Sequence, residues 1–263
     1  MGSASPSYQG HRHPVEVISP CVWLYFRFPL SFREAEELMP EYGVVVSCET
    51  VRRWCATFGQ AYAGALRRRR PRPGDTWHLD EVFIKINGER KHRWRAVGAD
   101  GTVPDILVQN RRDTAAARRF FHRLLKKTRT VPRVMVTDQL RSYRAAHREV
   151  MSSMEHRSHQ GLNHRAENSP QPTRQRERAM KGFRTVGRTQ RSLSAFSQIS
   201  PHFRPRRHRM TAPGYRTEMR HRFAIRDQIT SAAGRPHHGL NPGPYHGPHH
   251  ATAHRQAPAN PTT

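Results

Sequence analysis

Two aspartates carry most of the chemical information in this 263-residue chain. Asp80 lies in the run TWHLDEVFIKI, residues 76–86, beside a second acid, Glu81. The run is rich in β-branched and aromatic residues. Its apolar side chains fall on both faces, Leu79 and Phe83 on one and Val82, Ile84 and Ile86 on the other. That pattern predicts a strand covered on both sides, in the middle of a sheet. A carboxylate there is costly unless it is paired, hydrogen-bonded or bound to a metal. Taken alone, Asp80 reads as a strand-end acid satisfied by a nearby arginine. Asp138 changes the weighing, because it directly follows another short apolar run, residues 133–137. Acids brought together from separate strands offer hard oxygen ligands to a divalent cation.

The elements that would position these acids follow from periodicity and turn chemistry. Asn87-Gly88 is a strong hairpin signal, and it leads into a second strand over 91–97 with Trp94 and Ala96 on one face. Asp100-Gly101 marks a second turn, followed by a third strand over 103–108. Asp113 can cap a helix whose apolar stripe is Ala117, Phe120, Phe121, Leu124 and Leu125. The strand at 133–137 then runs into Asp138. The order is β-β-β-α-β, with one acid in the first strand and one just after the fourth. That is the ribonuclease-H-like arrangement of a mixed α/β sheet. In it a third acid from a later helix completes a cluster, and the polar stretch 163–180 supplies Glu167. Glu81 and Asp105 read as acids paired with the many arginines, and Tyr143 as packing beside the cluster.

Upstream, Ser31 and Glu34 form a capping box. Pro40 and Gly43 punctuate a turn. Ser47 caps a second helix on which Val51, Trp54, Cys55 and Phe58 recur at helical spacing. Helix, short turn, helix, with Arg52 and Arg53 on the outer face, matches a helix-turn-helix; an ordinary helical hairpin is the simpler alternative. Pro20 predicts that a short first helix begins after it. Arg67, Arg68, Arg69 and Arg70 open a basic linker suited to a phosphate track. The expected division is a loose N-terminus at 1–13, a small all-α helix-turn-helix domain at 14–66, the linker at 67–75, the ribonuclease-H-like domain at 76–230 and a disordered, His- and Pro-rich tail at 231–263.

Composition narrows the partner. Lys and Arg total 46 against 20 Asp and Glu, a formal charge of +26. Such an excess favours a polyanion, and nucleic acid fits best because neutralising phosphates releases counterions. No apolar run reaches membrane-spanning length, so no membrane partner is expected. Cys21, Cys48 and Cys55 make neither a metal-ligand spacing nor an even framework, and they read as reduced thiols of a cytoplasmic protein.

Four segments carry a resemblance: WHLDEVFIKINGERKHRWRAVGADG, DILVQNRRD, VPRVMVTDQLRSY and NHRAENSPQPTRQRERAM. They resemble the DDE transposases of bacterial insertion sequences, in particular the family numbered six. The likeness runs from about Phe28 to Thr230. It implies a catalytic, metal-binding triad of Asp80, Asp138 and Glu167 holding two Mg²⁺ (or Mn²⁺) ions. It implies that Arg174, seven residues after Glu167, contacts the DNA backbone. It also implies a helix-turn-helix bound to terminal inverted repeats, joining of cut 3′ ends to target DNA, a homodimer or larger assembly, and association with the bacterial nucleoid. Asn163-His164, Pro170 and the SHQG stretch at 158–161 depart from the family pattern. Two other readings therefore stay open: a degenerate copy that only binds DNA, and a different ribonuclease-H-like nuclease.

Overall fold

The computed structural model describes residues 6–70, 74–138, 140–158, 171–180, 182–205, 207 and 210–230, and of 171–174 the backbone alone. The tail expected to be disordered lies outside the described residues. The N-terminal part is helical: α1 (Val15–Arg27), α2 (Phe32–Glu37), a 3₁₀ turn (Met39–Tyr42) and α3 (Cys48–Arg69). Its caps are those the sequence predicts. Ser31 Oγ accepts from Glu34 N at 3.1 Å, and Glu34 Oε2 accepts from Ser31 N at 2.6 Å. Ser47 Oγ accepts from Thr50 N at 3.3 Å and starts α3. Pro20 does not open α1 but sits inside it. α3 continues through Arg67–Arg69 instead of stopping before a linker. Arginine is a good helix former, and positive charge suits the helix C-terminus. Gly59 lets α1 approach α3; a Cβ there would lie 2.6 Å from Cε2 of Phe26. Residues 6–13, expected to be loose, lie against α3. Tyr8 stacks on Phe58 and its hydroxyl is 2.7 Å from that of Tyr62. Cys21 and Cys55 are free thiols in this core; burial pushes Cys21 up to about 12 and Cys55 well above its usual range.

The rest builds one mixed sheet from β1 (Thr76–Ile86), β2 (Glu89–Gly98), β3 (Ile106–Gln109), β4 (Val134–Thr137) and β5 (Glu155–Ser158), in the order β3-β2-β1-β4-β5. β1–β2 and β2–β3 are antiparallel; β1–β4 and β4–β5 are parallel. Helices α4 (Thr114–Thr128) and α5 (Arg141–Val150) form the crossovers. This is the ribonuclease-H-like fold the acid-bearing strand order predicts. Asn87 and Gly88 both have positive φ, 51° and 81°, which is the two-residue primed turn. Asp113 Oδ1 caps α4 through Ala116 N at 2.8 Å.

The two faces of β1 meet different cores. Trp77 and Leu79 pack with Trp94, Ala96 and the α4–α5 layer. Ile84 and Ile86 pack with Ile106, Val108 and Leu193 on the opposite face. Only the first half of β1 is covered on both sides; Phe83 is 58% exposed. Three later helices follow: α6 (Gln171–Ala179), α7 (Val186–His202) and α8 (Ala212–Thr230). α7 joins the two halves. Its Leu193 belongs to the sheet core, whereas Phe196 and Ile199 belong to the helical core. The sheet and the N-terminal helices therefore share one compact unit, residues 1–233.

Candidate active site

Asp80 and Asp138 come together through strand register. β1 and β4 pair in parallel with His78 opposite Val136. Asp80 lies two residues past His78, inside β1, and Asp138 lies two residues past Val136, one residue beyond the end of β4. Asp80 stays paired to β2 opposite Arg95, whereas the β1–β4 pairing ends at His78, so both acids come just after the last β1–β4 pair.

Their surroundings differ. Asp80 is 6% exposed. It accepts from Arg95 at both oxygens, Nε to Oδ1 at 3.0 Å and Nη2 to Oδ2 at 2.7 Å. Arg93 Nη2 lies 3.7 Å from the same Oδ2. This is the arginine-satisfied acid that the simpler sequence reading describes. Its partner was readable: the primed turn sets Ile86 opposite Glu89, and counting back six places on each strand sets Arg95 opposite Asp80. Asp138 accepts from Leu140 N at 3.1 Å, leading into α5. Its carboxyl is held above the ordinary aspartate range, first by burial and then by the negative charges of Glu81 and Asp80, with the Leu140 amide and Arg112 opposing. Thr137 and Ser158 hydroxyls donate to the Asp138 carbonyl at 2.8 and 3.0 Å and fix the backbone there.

Glu81 points to the other face, as alternation along a strand demands. It is hydrogen-bonded to His92 Nδ1, with Arg112 Nε at 3.7 Å. Asp105 is paired with Arg123 at 2.6 Å and with Lys127. Tyr143 is fully buried between Trp94 and Phe121. Its hydroxyl has no hydrogen-bond partner among the described residues. Burial raises it well above the phenol range, and Asp80, Asp138 and Glu81 add to the shift.

Glu167 lies outside the described residues. Arg174 falls in α6, where its backbone alone is described. Among the described residues no group of three or more His, Cys, Asp or Glu side chains could hold a metal ion. Of the three expected acids, Asp80 and Asp138 thus lie just past the last β1–β4 pair, near enough for the Asp80 charge to add to the raising of the Asp138 carboxyl.

A DDE domain family, typified by IS240 transposases, matches residues 74–206. The chain belongs to that family. It is 32% identical over 138 residues to the transposase for insertion sequence-like element IS431mec of Staphylococcus aureus, covering 52% of this chain and 61% of that one. Identity to the transposase for insertion sequence element IS257 in transposon Tn4003 of Staphylococcus aureus is 31% over the same length. The chain spans about 61% of the length of these relatives. Among solved structures, the HTLV-2 integrase catalytic core domain in complex with magnesium aligns with a TM-score of 0.37 at 13% identity, over 47% of this chain and 84% of that one. The family match spans β1 to the end of α7, so both aspartates lie inside the DDE domain.

The expected DNA-contacting arginines divide into two groups. Arg52, Arg53, Arg67 and Arg68 are exposed on α3, with Arg52 in an exposed pair with Glu49 at 2.9 Å. Arg69 donates to Ile225 O and Gln228 Oε1, both at 3.3 Å. Arg70 is turned inward, to Gln198 Oε1 at 3.1 Å and to the Gln198 carbonyl. It packs α3 against α7 and does not project along an open track.

Arg176 gave no sequence signal beyond one more basic residue in a basic run. It is fully buried. From α6 it donates to Phe28 O at 3.0 Å, Leu30 O at 2.8 Å and the Tyr25 carbonyl, and it lies 3.6 Å from the Tyr25 ring centroid. These carbonyls lie in the last turn of α1 and just past it, where no helical donor remains.

Proposed function

We propose that the chain is a metal-dependent transposase that holds the terminal repeats of an insertion sequence, cuts their 3′ ends and joins them to target DNA. The observation that supports this is the parallel pairing of β1 with β4, whose last pair precedes Asp80 on one strand and Asp138 on the other by two residues, inside the stretch that matches the DDE domain family. Their donor set, two carboxylates at one sheet edge, suits Mg²⁺ or Mn²⁺, which prefer oxygen ligands. Asp80 and Asp138 would hold the ion, with Glu167 as the third acid in the two-ion arrangement the family implies. When bound, such an ion polarises the attacking oxygen and stabilises the leaving one.

The protein's own groups prepare that site. Arg95 orients Asp80 through hydrogen bonds to both carboxylate oxygens, and would have to yield one of them to an ion. The Leu140 amide pins one oxygen of Asp138 and leaves the other able to coordinate. Burial first, and then the charges of Glu81 and Asp80, raise the Asp138 carboxyl, and a bound cation would offset the second of these. The exposure of Arg52 and Arg53 on α3 supports a DNA-contacting role for them, and the net charge of +26 favours a polyanion.

The engaged state of Asp80 favours one second reading, a DNA-binding protein without catalysis. The two are separated by incubating the protein with terminal-repeat duplex and Mg²⁺. Catalysis gives 3′ nicks and joined products from the wild type. Asp80→Asn should give none while gel-shift affinity for the repeat stays within about twofold. Joining by Asp80→Asn at the wild-type rate would remove Asp80 from the mechanism. Binding without any product from the wild type would establish the second reading.

A further inference from the structure

A cleft of about 630 Å³ opens where the end of α3, the β2–β3 turn and the α7–α8 junction meet, away from the acids. We propose that this cleft is a second DNA-contacting site that seats a phosphodiester of the duplex. The proposal rests on the transposase reading but joins the end of α3 to Arg204 and Arg222, which lie outside the α2–α3 unit.

Four guanidiniums line the cleft, from Arg69, Arg70, Arg204 and Arg222, against two carboxylates, Asp100 and Glu218. Most of their partners are neutral. Arg69 and Arg70 donate to carbonyls and to the side chains of Gln228 and Gln198. Arg204 Nη2 donates to Arg27 O at 3.1 Å, and its Nε is buried with no hydrogen-bond partner among the described residues. Of the four, Arg222 has a close carboxylate among the described residues, Glu218 Oε1 at 2.6 Å. Neutral acceptors satisfy N–H groups but leave the charge. Burial pushes Arg70 down to about 10, with Asp100 opposing and Arg222 adding to the shift. The same burial, with Arg222 and Arg70 nearby, pushes His202 down to about 4. The local field is therefore positive inside low-dielectric walls, the condition that focuses an anion. Guanidinium forks match phosphate oxygens, and the volume falls within the range of about 300–1,000 Å³ typical of small-ligand clefts. That is room for a phosphate with its sugar. The contributing segments lie far apart in sequence and meet only in the folded chain.

Met210 lines the cleft, is 38% exposed, and is not one of the guanidinium anchors. Met210→Glu adds a negative charge there without removing an arginine bond. The test is fluorescence anisotropy of full-length protein on terminal-repeat duplex across a salt series, with a thermal melt to verify folding. One phosphate contact contributes a log–log salt slope of about 0.9. Its loss therefore costs about eightfold in affinity at about 0.1 M salt and makes the slope shallower by about 1. Arg69→Gln, at the rim, should shift both readings in the same direction. If the wild type binds and both variants match its affinity and slope, the cleft is not a DNA site. If the wild type binds no duplex at low salt, the transposase reading falls with it. A wild-type slope unchanged by mononucleotide, with affinity lowered only by competing duplex, supports backbone of the duplex over a free nucleotide; the reverse overturns it.

Discussion

Arg176→Met tests whether the helical part and the DDE domain are fastened at one buried cation. Methionine matches the side chain in length and apolar bulk but donates nothing. Three carbonyls around the end of α1, those of Tyr25, Phe28 and Leu30, lose their donor. Each buried acceptor left unmade costs about 1–3 kcal/mol. Against this, a buried guanidinium pays a desolvation penalty of several kcal/mol that methionine avoids. Burial does hold the Arg176 guanidinium below its usual range. The carbonyl losses outweigh that saving because three acceptors lose one shared donor together, and the Tyr25 carbonyl among them is buried within the last turn of α1. A net loss of about 3 kcal/mol follows, and at about 2–4 °C per kcal/mol for a unit of this size the melting temperature drops by about 10 °C. Urea unfolding followed by tryptophan fluorescence reads it, since Trp23 and Trp54 report on the helical part and Trp77 and Trp94 on the sheet. Arg176→Lys keeps the charge but loses the planar fork, and should lie between. A melting temperature for Arg176→Met within about 2 °C of wild type would refute the fastening. α6 begins four residues after Glu167, so nicking by the methionine variant should also fall more steeply than its repeat binding.

Two predictions concern protonation. The Asp138 carboxyl is raised in the fold, so the native state prefers its proton. Stability from this group is complete below the ordinary aspartate range, near pH 3.9, and declines as pH climbs through the raised native value. Asp138→Asn removes that penalty: it should melt above wild type at pH 7, match it in acid, and give no nicking, with scanning calorimetry as the check. His156 and His202 run the opposite way. Burial pushes both down to about 4, so their share of stability is present above about pH 6.5 and is lost as pH falls toward 4. Melts should drop across that window, and a flat profile would show that both rings stay solvated.

The sequence carried the first sheet strands and α4 clearly because their signals are local. Asn87-Gly88, Asp113, Ser31 and Ser47 are each read from a few adjacent residues. α5 and β5 escaped notice for a physical reason. α5 buries only Ser142, Tyr143 and Ala146 among arginines, and β5 is a half-exposed edge of Glu, His, Arg and Ser. Neither shows the apolar period that reveals an element. The apolar stripe of α7 divides between two cores, so its periodicity alone does not tell which of them it packs on. The acids followed the same rule: Asp80 and Asp138 were found by order along the chain, whereas the engagement of Asp80 by Arg95 depends on cross-strand pairing, which only the turn type could have supplied.

That engagement bears on how the site works. An acid cluster without cations repels itself, and a fold that must hold it needs positive charge nearby. Here the charge comes from β2, the immediate neighbour of β1, so Asp80 and Arg95 are fixed to each other by the same hairpin. The guanidinium therefore cannot drift far from the acid it occupies, and a cation held by Asp80 would have to compete with it in place. Competition of that kind sets a threshold concentration for the ion. Arg95→Gln keeps a side chain of similar reach but removes the charge, and it should lower the Mg²⁺ concentration needed for half-maximal nicking if the arginine acts as the stand-in cation. A higher requirement would mean instead that Arg95 orients Asp80 for the metal.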